Sequence, residues 1–315
     1  MSLSDKYPYD PQNPRADLVL PPESPALSTF TSLTWKLVCV WAFFVIVQIV
    51  FLPAMCWLDE ISFQVRELSA GLFCGFTGAQ AGLLILAAVL GPGSVALRQA
   101  CVIVLGLTWV GAWLLGYCIA EWHDVNTIML PDAEQLTVIL VLPFLLFVGQ
   151  TPLWTFRAFF RWRVEHCEAN KVGDKPAQVS LLGFFVATAL VASSLGLVRL
   201  GLRLADSPSE EWWLATGIAS AVIAVLSLLT LPPAVWCILR WRNEWLGTLA
   251  YVGLFAGINL TMYLVAIVVG GGAPVADDFI AFGLLYSGFI VGLIVPLLIV
   301  RSGGYRLYWE KQTAN

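Results

Sequence analysis

The sequence predicts an all-α polytopic transmembrane bundle of about eight helices. Hydrophobic residues make up 59% of the 315-residue chain and charged residues only 12%, whereas a soluble domain has about 45–50% and roughly 25%. Apolar stretches of about 20 residues, the length that crosses a bilayer as a helix, recur along the chain. Basic residues collect in every second connection between these stretches, which is the charge pattern of membrane proteins.

The chain divides into two tails and one membrane domain. Residues 1–32 hold six prolines and little apolar surface, so we expect a disordered cytoplasmic tail there. Residues 33–302 are expected to form the transmembrane domain, and residues 303–315 a second cytoplasmic tail. Eight stretches reach the length of a spanning helix: Leu37–Leu58, Ala70–Leu90, Ala100–Ala120, Leu136–Phe156, Ser180–Val198, Trp212–Leu239, Trp245–Val269 and Phe279–Val300.

The distribution of basic residues predicts the orientation of the bundle. Fourteen of the seventeen Lys and Arg residues lie on the side of the two termini, and only Arg66, Arg199 and Arg203 lie on the other side. Because short cytoplasmic segments of membrane proteins are rich in Lys and Arg, we expect both termini in the cytoplasm. An even number of spans agrees with this orientation.

A short basic motif follows three of the predicted spans, and we call its copies the first, second and third exits. The first exit is R-W-R-V-E at 161–165, the second is R-W-R-N-E at 240–244, and the third keeps only the R-x-x-x-E spacing at 306–310. An Arg and a Glu four residues apart share a helix face, where such a pair contributes about 0.2–0.5 kcal/mol. The repetition indicates tandem two-helix units built from spans 3–4, 5–6 and 7–8.

Two interpretations of the exits remain open. Arg and Trp anchor a helix at the membrane interface, where the ring lies at headgroup level and the guanidinium reaches lipid phosphate. Alternatively, the repeated side chains form one docking surface for a membrane-protein partner or an anionic lipid. The candidate docking residues are Arg161, Trp162, Arg163, Arg240, Trp241 and Arg242.

Glycines mark a helix face that a neighbouring helix can approach closely. The second span carries four of them, spaced by four, three and four residues: Gly71, Gly75, Gly78 and Gly82. Single G-x-x-x-G pairs follow in the seventh span, Gly253 with Gly257, and in the eighth, Gly288 with Gly292. Tight helix packing is the expected role of these residues, and a hinge for transport is the alternative.

Three amide side chains lie near the middle of predicted spans: Gln48, Gln80 and Asn259. Hydrogen bonds between helices are the expected reason for them. If the three converged, they could instead line a polar path or a ligand site. No Asp, Glu, Lys, Arg or His lies deep within any predicted span, which argues against an ion-driven pump but leaves a passive pathway open.

The sequence contains no motif for catalysis or for a cofactor. The two histidines, His123 and His166, lie on opposite sides of the expected membrane, so we expect no haem or zinc site between the helices. No H-E-x-x-H, no G-x-S-x-G elbow and no phosphate-binding glycine loop occurs. We therefore expect no enzymatic activity, no metal, no cofactor and no nucleic-acid partner.

A stretch in the middle of the chain resembles a known group of proteins. Gln150-Thr151-Pro152-Leu153-Trp154 ends the fourth span, the first exit follows, and Gln178-Val179-Ser180 leads into the fifth span. This order resembles a group of uncharacterised bacterial multi-span membrane proteins with a Q-x-P-L-W helix end and a Trp-Arg exit motif. Arg161 stands where those proteins usually place glycine. The resemblance implies a place in the bacterial cytoplasmic (inner) membrane and implies no biochemical activity.

The leading functional hypothesis is a non-enzymatic membrane protein that docks a protein partner or an anionic lipid at its basic, Trp-rich cytoplasmic face. The alternative is a passive transporter or channel for a small neutral or lipid-like solute, with the three amides along its path. The geometry of the amides separates the two hypotheses. Convergence on a wet cavity favours transport, whereas burial in pairwise contacts favours docking.

Overall fold

Seven long α-helices and a two-stranded antiparallel sheet make up the described part of the computed structural model. The structure describes residues 25–59, 63–91, 95–125, 133–160, 162–166, 209–270 and 276–309, and three single residues at 192, 196 and 199. The helices are α1 (Pro25–Asp59), α2 (Phe63–Leu90), α3 (Val95–Val125), α4 (Ala133–Phe160), α5 (Ser209–Val235), α6 (Glu244–Gly270) and α7 (Ala276–Ser302). The strands are β1 (Trp162–His166) and β2 (Tyr305–Trp309), and a π-helical turn over Trp236–Arg240 continues α5. The all-α bundle expected from the sequence is confirmed.

Two boundaries differ from the expected domain limits. Helix α1 begins at Pro25, so the end of the stretch assigned to the N-terminal tail is helical. Proline fits the first position of a helix because the N–H that it lacks has no partner there. In the expected C-terminal tail, residues 305–309 form β2. Residues 1–24 and most of the predicted fifth span, Ser180–Val198, lie outside the described residues.

Four helical segments in the described chain are long and apolar enough to cross a membrane: Leu68–Leu90, Val95–Trp122, Leu214–Arg240 and Gly283–Ser302. Helix α3 has the surface that such a position requires, because Val104, Leu107 and Leu115 are each at least 50% exposed. Soluble monomers rarely expose a continuous apolar face of this extent, whereas lipid tails solvate it. The structure thus has the helices of a membrane protein.

Helix α2 is the central element of the bundle. It packs along α7 and also contacts α1, α3 and α4. Helices α1 and α3 run parallel, because the indole of Trp41 donates to the hydroxyl of Thr108 at 3.1 Å and Gly116 lies against the backbone of Gln48. Helices α2, α4, α5 and α7 all end on one side of the bundle, where α3 and α6 begin.

The sheet joins the ends of α4 and α7. Trp162 pairs with Trp309 and His166 with Tyr305, in antiparallel register. The turn from α7 into β2 passes through Gly304, whose φ of 85° favours glycine. The shared helix face that the R-x-x-x-E spacing of the first and third exits indicates is therefore not formed at residues 162–166 and 305–309. These residues form strands because each strand supplies partners for the backbone N–H and C=O groups of the other.

The main apolar core lies against this sheet. It combines buried side chains of α2, α5, α6 and α7 with Trp162 and Leu307 from the two strands. Leu231 and Val235 of α5 and Leu293 of α7 are deeply buried in it, each at most 2% exposed. The core therefore holds one end of the helix bundle and the sheet together, and this is the end where the basic residues lie.

Candidate functional site

Basic side chains from several elements meet where α2, α4, α5 and α7 end. We call this part of the molecule the basic end, and the basic side chains that the structure describes there are those of Arg98, Arg157, Arg240, Arg242, Arg301 and Arg306. Arginines of α3 and α4 bind the end of α2, and an arginine of α7 binds the end of α5. The side predicted to hold most of the charge thus contains a connected set of contacts.

Two arginines cap the carboxyl end of α2. The last carbonyl groups of a helix have no donor within the helix, and they carry a partial negative charge. The Nη1 group of Arg98 donates to the carbonyl oxygen of Gly91 at 2.8 Å, and Nη1 of Arg157 donates to that of Val89. These basic side chains therefore stabilise a helix end, a role that their place in the sequence did not reveal.

Arg301 fastens α7 to the end of α5. Its side chain is 2% exposed and donates to the carbonyl oxygens of Ile238, of Trp241 at 2.7 Å and of Arg242 at 3.1 Å. The carbonyl oxygen of Arg301 in turn accepts a hydrogen bond of 2.8 Å from Arg306. The backbone of the second exit is thereby held by a buried side chain of another helix.

The tryptophan of the first exit is buried and therefore not available on the surface. Trp162 is 4% exposed, and its ring lies between those of Phe156 and Trp236, at centroid distances of 5.0 and 6.0 Å. Arg163 lies on β1 opposite Tyr308, and Arg161 lies outside the described residues. The predicted docking set is therefore divided, because its first tryptophan belongs to the core.

The second exit presents its side chains outward. Arg240, Trp241 and Arg242 are exposed, and the ring of Trp245, in the first turn of α6, is 76% exposed. The guanidinium of Arg240 lies 4.3 Å from the ring centroid of Trp236, at cation–π distance. We call Arg240, Trp241, Arg242 and Trp245 the second-exit surface.

Two of the three predicted amides meet. Gln48 Nε2 donates to Gln80 Oε1 at 2.7 Å and to the hydroxyl of Thr77 at 3.0 Å. Both glutamines are 1% exposed, so the contact joins α1 and α2 inside the bundle. Asn259 does not join them, because its Nδ2 donates to the carbonyl oxygen of Phe255 in its own helix at 2.8 Å.

Sequence reasoning missed a second amide pair. Gln99 Nε2 donates to Gln150 Oε1 at 3.2 Å, and both residues are buried. Gln99 precedes the predicted third span directly and Gln150 lies inside the fourth, so each was a polar residue in an apolar surrounding. A polar residue in an apolar stretch is a usable signal, but neither residue lies at mid-span, which is where the three candidate amides lie. The contact holds α3 against α4 beside Arg98.

We expect Gln48 and Gln80 to be energetically coupled. Each substitution to leucine alone leaves one buried amide without its partner, whereas the double substitution removes both. The coupling energy should be about 0.6–2 kcal/mol, measured from the free energies of unfolding in a double-mutant cycle.

The matched control pairs Gln48→Leu with Gln150→Leu, which belongs to the other pair. Distant substitutions without shared partners add within about 0.5 kcal/mol, so this cycle should show no coupling. Equal coupling in both cycles would contradict the contact between Gln48 and Gln80.

Gly75 and Gly78 of α2 lie where α7 approaches closely. A Cβ atom at Gly75 would overlap the carbonyl oxygen of Leu285 and lie 2.8 Å from the amide nitrogen of Phe289. At Gly78 the nearest atom would be in the Phe289 ring at 3.2 Å, and at Gly82 a methyl group of Leu231 at 3.0 Å. Gly71, further towards the start of α2, is half-buried.

The other glycine pairs differ from each other. Gly288 and Gly292 of α7 face α2, because a Cβ at Gly288 would overlap the carbonyl oxygen of Leu72, and one at Gly292 would lie 2.7 Å from Ala79 Cβ. A Cβ atom added at Gly253 or Gly257 of α6 would have no neighbouring atom within 4 Å. One predicted pair thus lies in a helix interface and the other on an open face of α6.

Neither a metal site nor a relative assigns a function to this geometry. Within the described ranges, no group of three His, Cys, Asp or Glu side chains could hold a metal ion. Comparison with protein-family models, with curated proteins and with solved structures finds no match to this chain. The basic end is therefore the feature of the molecule that points to a function.

Proposed function

We propose that this chain is a non-enzymatic membrane protein that binds anionic lipid headgroups through the second-exit surface. The observation that carries the proposal is the contrast between side chain and backbone at Trp241 and Arg242. Their side chains are exposed, while their carbonyl oxygens accept hydrogen bonds from the buried Arg301. A headgroup would meet residues whose backbone is already held in place, so binding requires less ordering.

The composition of the surface favours lipid over a soluble ligand. The apolar segment Leu214–Arg240 ends at this surface, which is the level of the headgroups if the segment spans the bilayer. Tryptophan rings prefer that level, and guanidinium groups bind phosphate through parallel N–H bonds. Leu246 and Leu249 continue the exposed surface along α6, at 54% and 65% exposure, and lipid tails would cover them.

The proposal includes a location and an orientation. We place the chain as a multi-pass protein in the bacterial cytoplasmic membrane, with the basic end and both termini in the cytoplasm. The excess of basic residues on that side supports this orientation. The cytoplasmic leaflet carries the anionic lipids that attract such residues, so orientation and binding partner agree.

The amide geometry supports docking over passive transport. Gln48 binds Gln80, Gln99 binds Gln150, and Asn259 binds its own helix. The amides thus lie in separate contacts and do not converge on one path, which is the arrangement that a passive pathway along them would require. An acidic protein partner at the second-exit surface is the competing outcome of the test below.

We expect the double variant Arg240→Gln with Arg242→Gln to lose bound anionic lipid. A basic residue near an anionic surface contributes about 1 kcal/mol, so losing two should weaken binding roughly thirtyfold. Protein purified in native-lipid particles would be compared with the whole membrane by mass spectrometry of its lipids, and the affinity measured by titrating detergent-solubilised protein with short-chain phosphatidylglycerol.

The control is Arg66→Gln with Arg203→Gln, which removes the same charge among the residues assigned to the opposite side. This variant should retain anionic lipid as the unchanged protein does. Anionic lipid that is not enriched around the unchanged protein, or is retained equally by the Arg240→Gln and Arg242→Gln variant, would contradict the proposal. A stoichiometric acidic protein in place of lipid would replace it with protein docking.

A further inference from the structure

Arg98 carries two buried N–H donors without a partner. The side chain is 5% exposed, and its Nη1 is bound to the carbonyl oxygen of Gly91. Its Nε and Nη2 atoms have no hydrogen-bond partner in the part of the chain that the structure describes. A buried donor without an acceptor is unfavourable, and more so when it carries a charge. An acceptor that is not part of the described chain is therefore to be expected here.

The two vacant donors form the edge of the guanidinium group that binds oxyanions. In arginine, Nε–H and one N–H of Nη2 point in the same direction, so both can reach two oxygens of one phosphate or carboxylate. Nη1, which binds Gly91, is the nitrogen outside this edge. The contact with α2 thus fixes the guanidinium while leaving its bidentate edge unused.

A second arginine adds positive charge at the same place. Arg157 binds the carbonyl oxygen of Val89, two residues before Gly91, and the charges of Arg98 and Arg157 are close enough to repel each other. No carboxylate of the described chain binds the vacant atoms of Arg98. The helix-end carbonyls supply only about half a negative charge, so they do not balance the charge of Arg98.

The surroundings hold the two arginines at a fixed spacing. Arg98 lies on α3 and Arg157 on α4, and these helices are joined beside them by the Gln99–Gln150 hydrogen bond. The aliphatic part of Arg98 passes over Gly91, where a Cβ atom would lie 3.3 Å from Arg98 Cδ. A Cβ atom at this position would overlap the carbonyl oxygen of Ala87 first, so glycine fits the backbone at the end of α2 and also leaves room for the arginine stem.

We propose that Arg98 and Arg157 together bind a phosphate group, with Arg98 holding two of its oxygens through Nε and Nη2. Phosphate suits the pair because its tetrahedral oxygens can accept from two guanidinium groups at once. The ligand is a phosphate monoester or diester, and a lipid headgroup and a soluble phosphate compound share this chemistry. The site is separate from the second-exit surface and does not depend on the lipid-docking proposal.

The experiment measures stabilisation of the full chain by two phosphate probes. Protein in a zwitterionic detergent is unfolded by heat in the presence of inorganic phosphate or short-chain phosphatidic acid, with chloride at equal ionic strength as reference. A ligand that binds only the folded state raises the unfolding midpoint with its concentration. We expect at least one probe to do so, and Arg98→Gln to weaken that probe at least tenfold, with Arg66→Gln unchanged.

The outcomes separate the sources and the two proposals. A shift with phosphatidic acid alone identifies a lipid phosphate, and a shift with inorganic phosphate identifies a soluble one. If Arg98→Gln fails to fold, Arg98→Lys decides, because lysine keeps the charge but lacks the bidentate edge, and Arg157→Gln gives a second test. No shift with either probe, or an undiminished shift in Arg98→Lys, would overturn the proposal. The Arg240→Gln with Arg242→Gln variant should keep the shift from inorganic phosphate even though it loses native lipid.

Discussion

Replacing Gly75 with alanine is expected to separate α2 from α7 and to lower the free energy of unfolding by about 3 kcal/mol or more. The added Cβ would overlap the carbonyl oxygen of Leu285 and crowd the amide nitrogen of Phe289. Both are backbone atoms of a helix, so neither can rotate away and the two helices must move apart. Unfolding of the purified protein in detergent, followed by the loss of helical circular dichroism, would measure the effect.

Two other glycines provide the controls for this substitution. Gly253→Ala places its methyl group in open space on α6, so it should be neutral or stabilise by up to about 1 kcal/mol through helix propensity. Gly78→Ala meets the ring of Phe289 at 3.2 Å, and a ring can shift, so a smaller loss than at Gly75 is expected. Equal stability of the Gly75→Ala and Gly253→Ala variants would show that α2 and α7 do not pack this closely.

The glycine spacing of the second span predicted a face for close approach, but it could not identify the approaching helix. Gly75 lies against α7, and Gly288 of α7 lies against α2 in the same way. Gly253 has the same G-x-x-x-G spacing as Gly288 and faces open space. The G-x-x-x-G spacing predicts which face of a helix can be approached closely. It does not predict which other helix packs on that face, because that depends on the tertiary arrangement.

The exits show how a local pattern can support two structures. R-x-x-x-E spacing suits a helix, yet Trp162 and Val164 alternate with Arg163 and Glu165, which is the period-two pattern of a strand. Pairing with β2 favours the strand over the helix, because each strand provides backbone hydrogen-bond partners for the other. A two-stranded sheet is marginal by itself, so its stability comes from packing on the helix core, which no short motif records.

The charge asymmetry of the sequence predicts that the basic residues lie at one end of the bundle. It does not distinguish buried arginines that bind the backbone from exposed ones. Arg98 and Arg301 are buried and bind helix-end carbonyls, whereas Arg242 is exposed. The acceptors are backbone atoms, which every residue type possesses, so the sequence contains no partner residue to recognise. Position along the span was likewise insufficient for the amides, because Asn259 lies at mid-span but donates to a carbonyl oxygen of its own helix.

Arg301→Met is expected to have the second of the two largest effects on stability. The substitution keeps much of the apolar stem but leaves the carbonyl oxygens of Ile238, Trp241 and Arg242 without their donor. An unsatisfied buried polar group costs about 1–3 kcal/mol, and the contact with Ile238 is buried while the other two are partly buried, so the free energy of unfolding should fall by about 3 kcal/mol. Hydrogen exchange should also accelerate at the amides of 241–247 and of β2, which follows Arg301 directly.

The comparison with Arg306→Met tests whether Arg301 acts specifically on the second exit. Arg306 is half-buried and, among the described residues, donates to the carbonyl oxygens of Arg301 and Tyr305, so its loss should accelerate exchange in β2 but leave 241–247 protected. Faster exchange at 241–247 in Arg301→Met alone would mean that a buried arginine of α7 fixes the backbone of the second exit. Equal protection of 241–247 in both variants would contradict the role of Arg301 in fixing this backbone. The lipid-docking proposal would then lose the fixed backbone on which it depends.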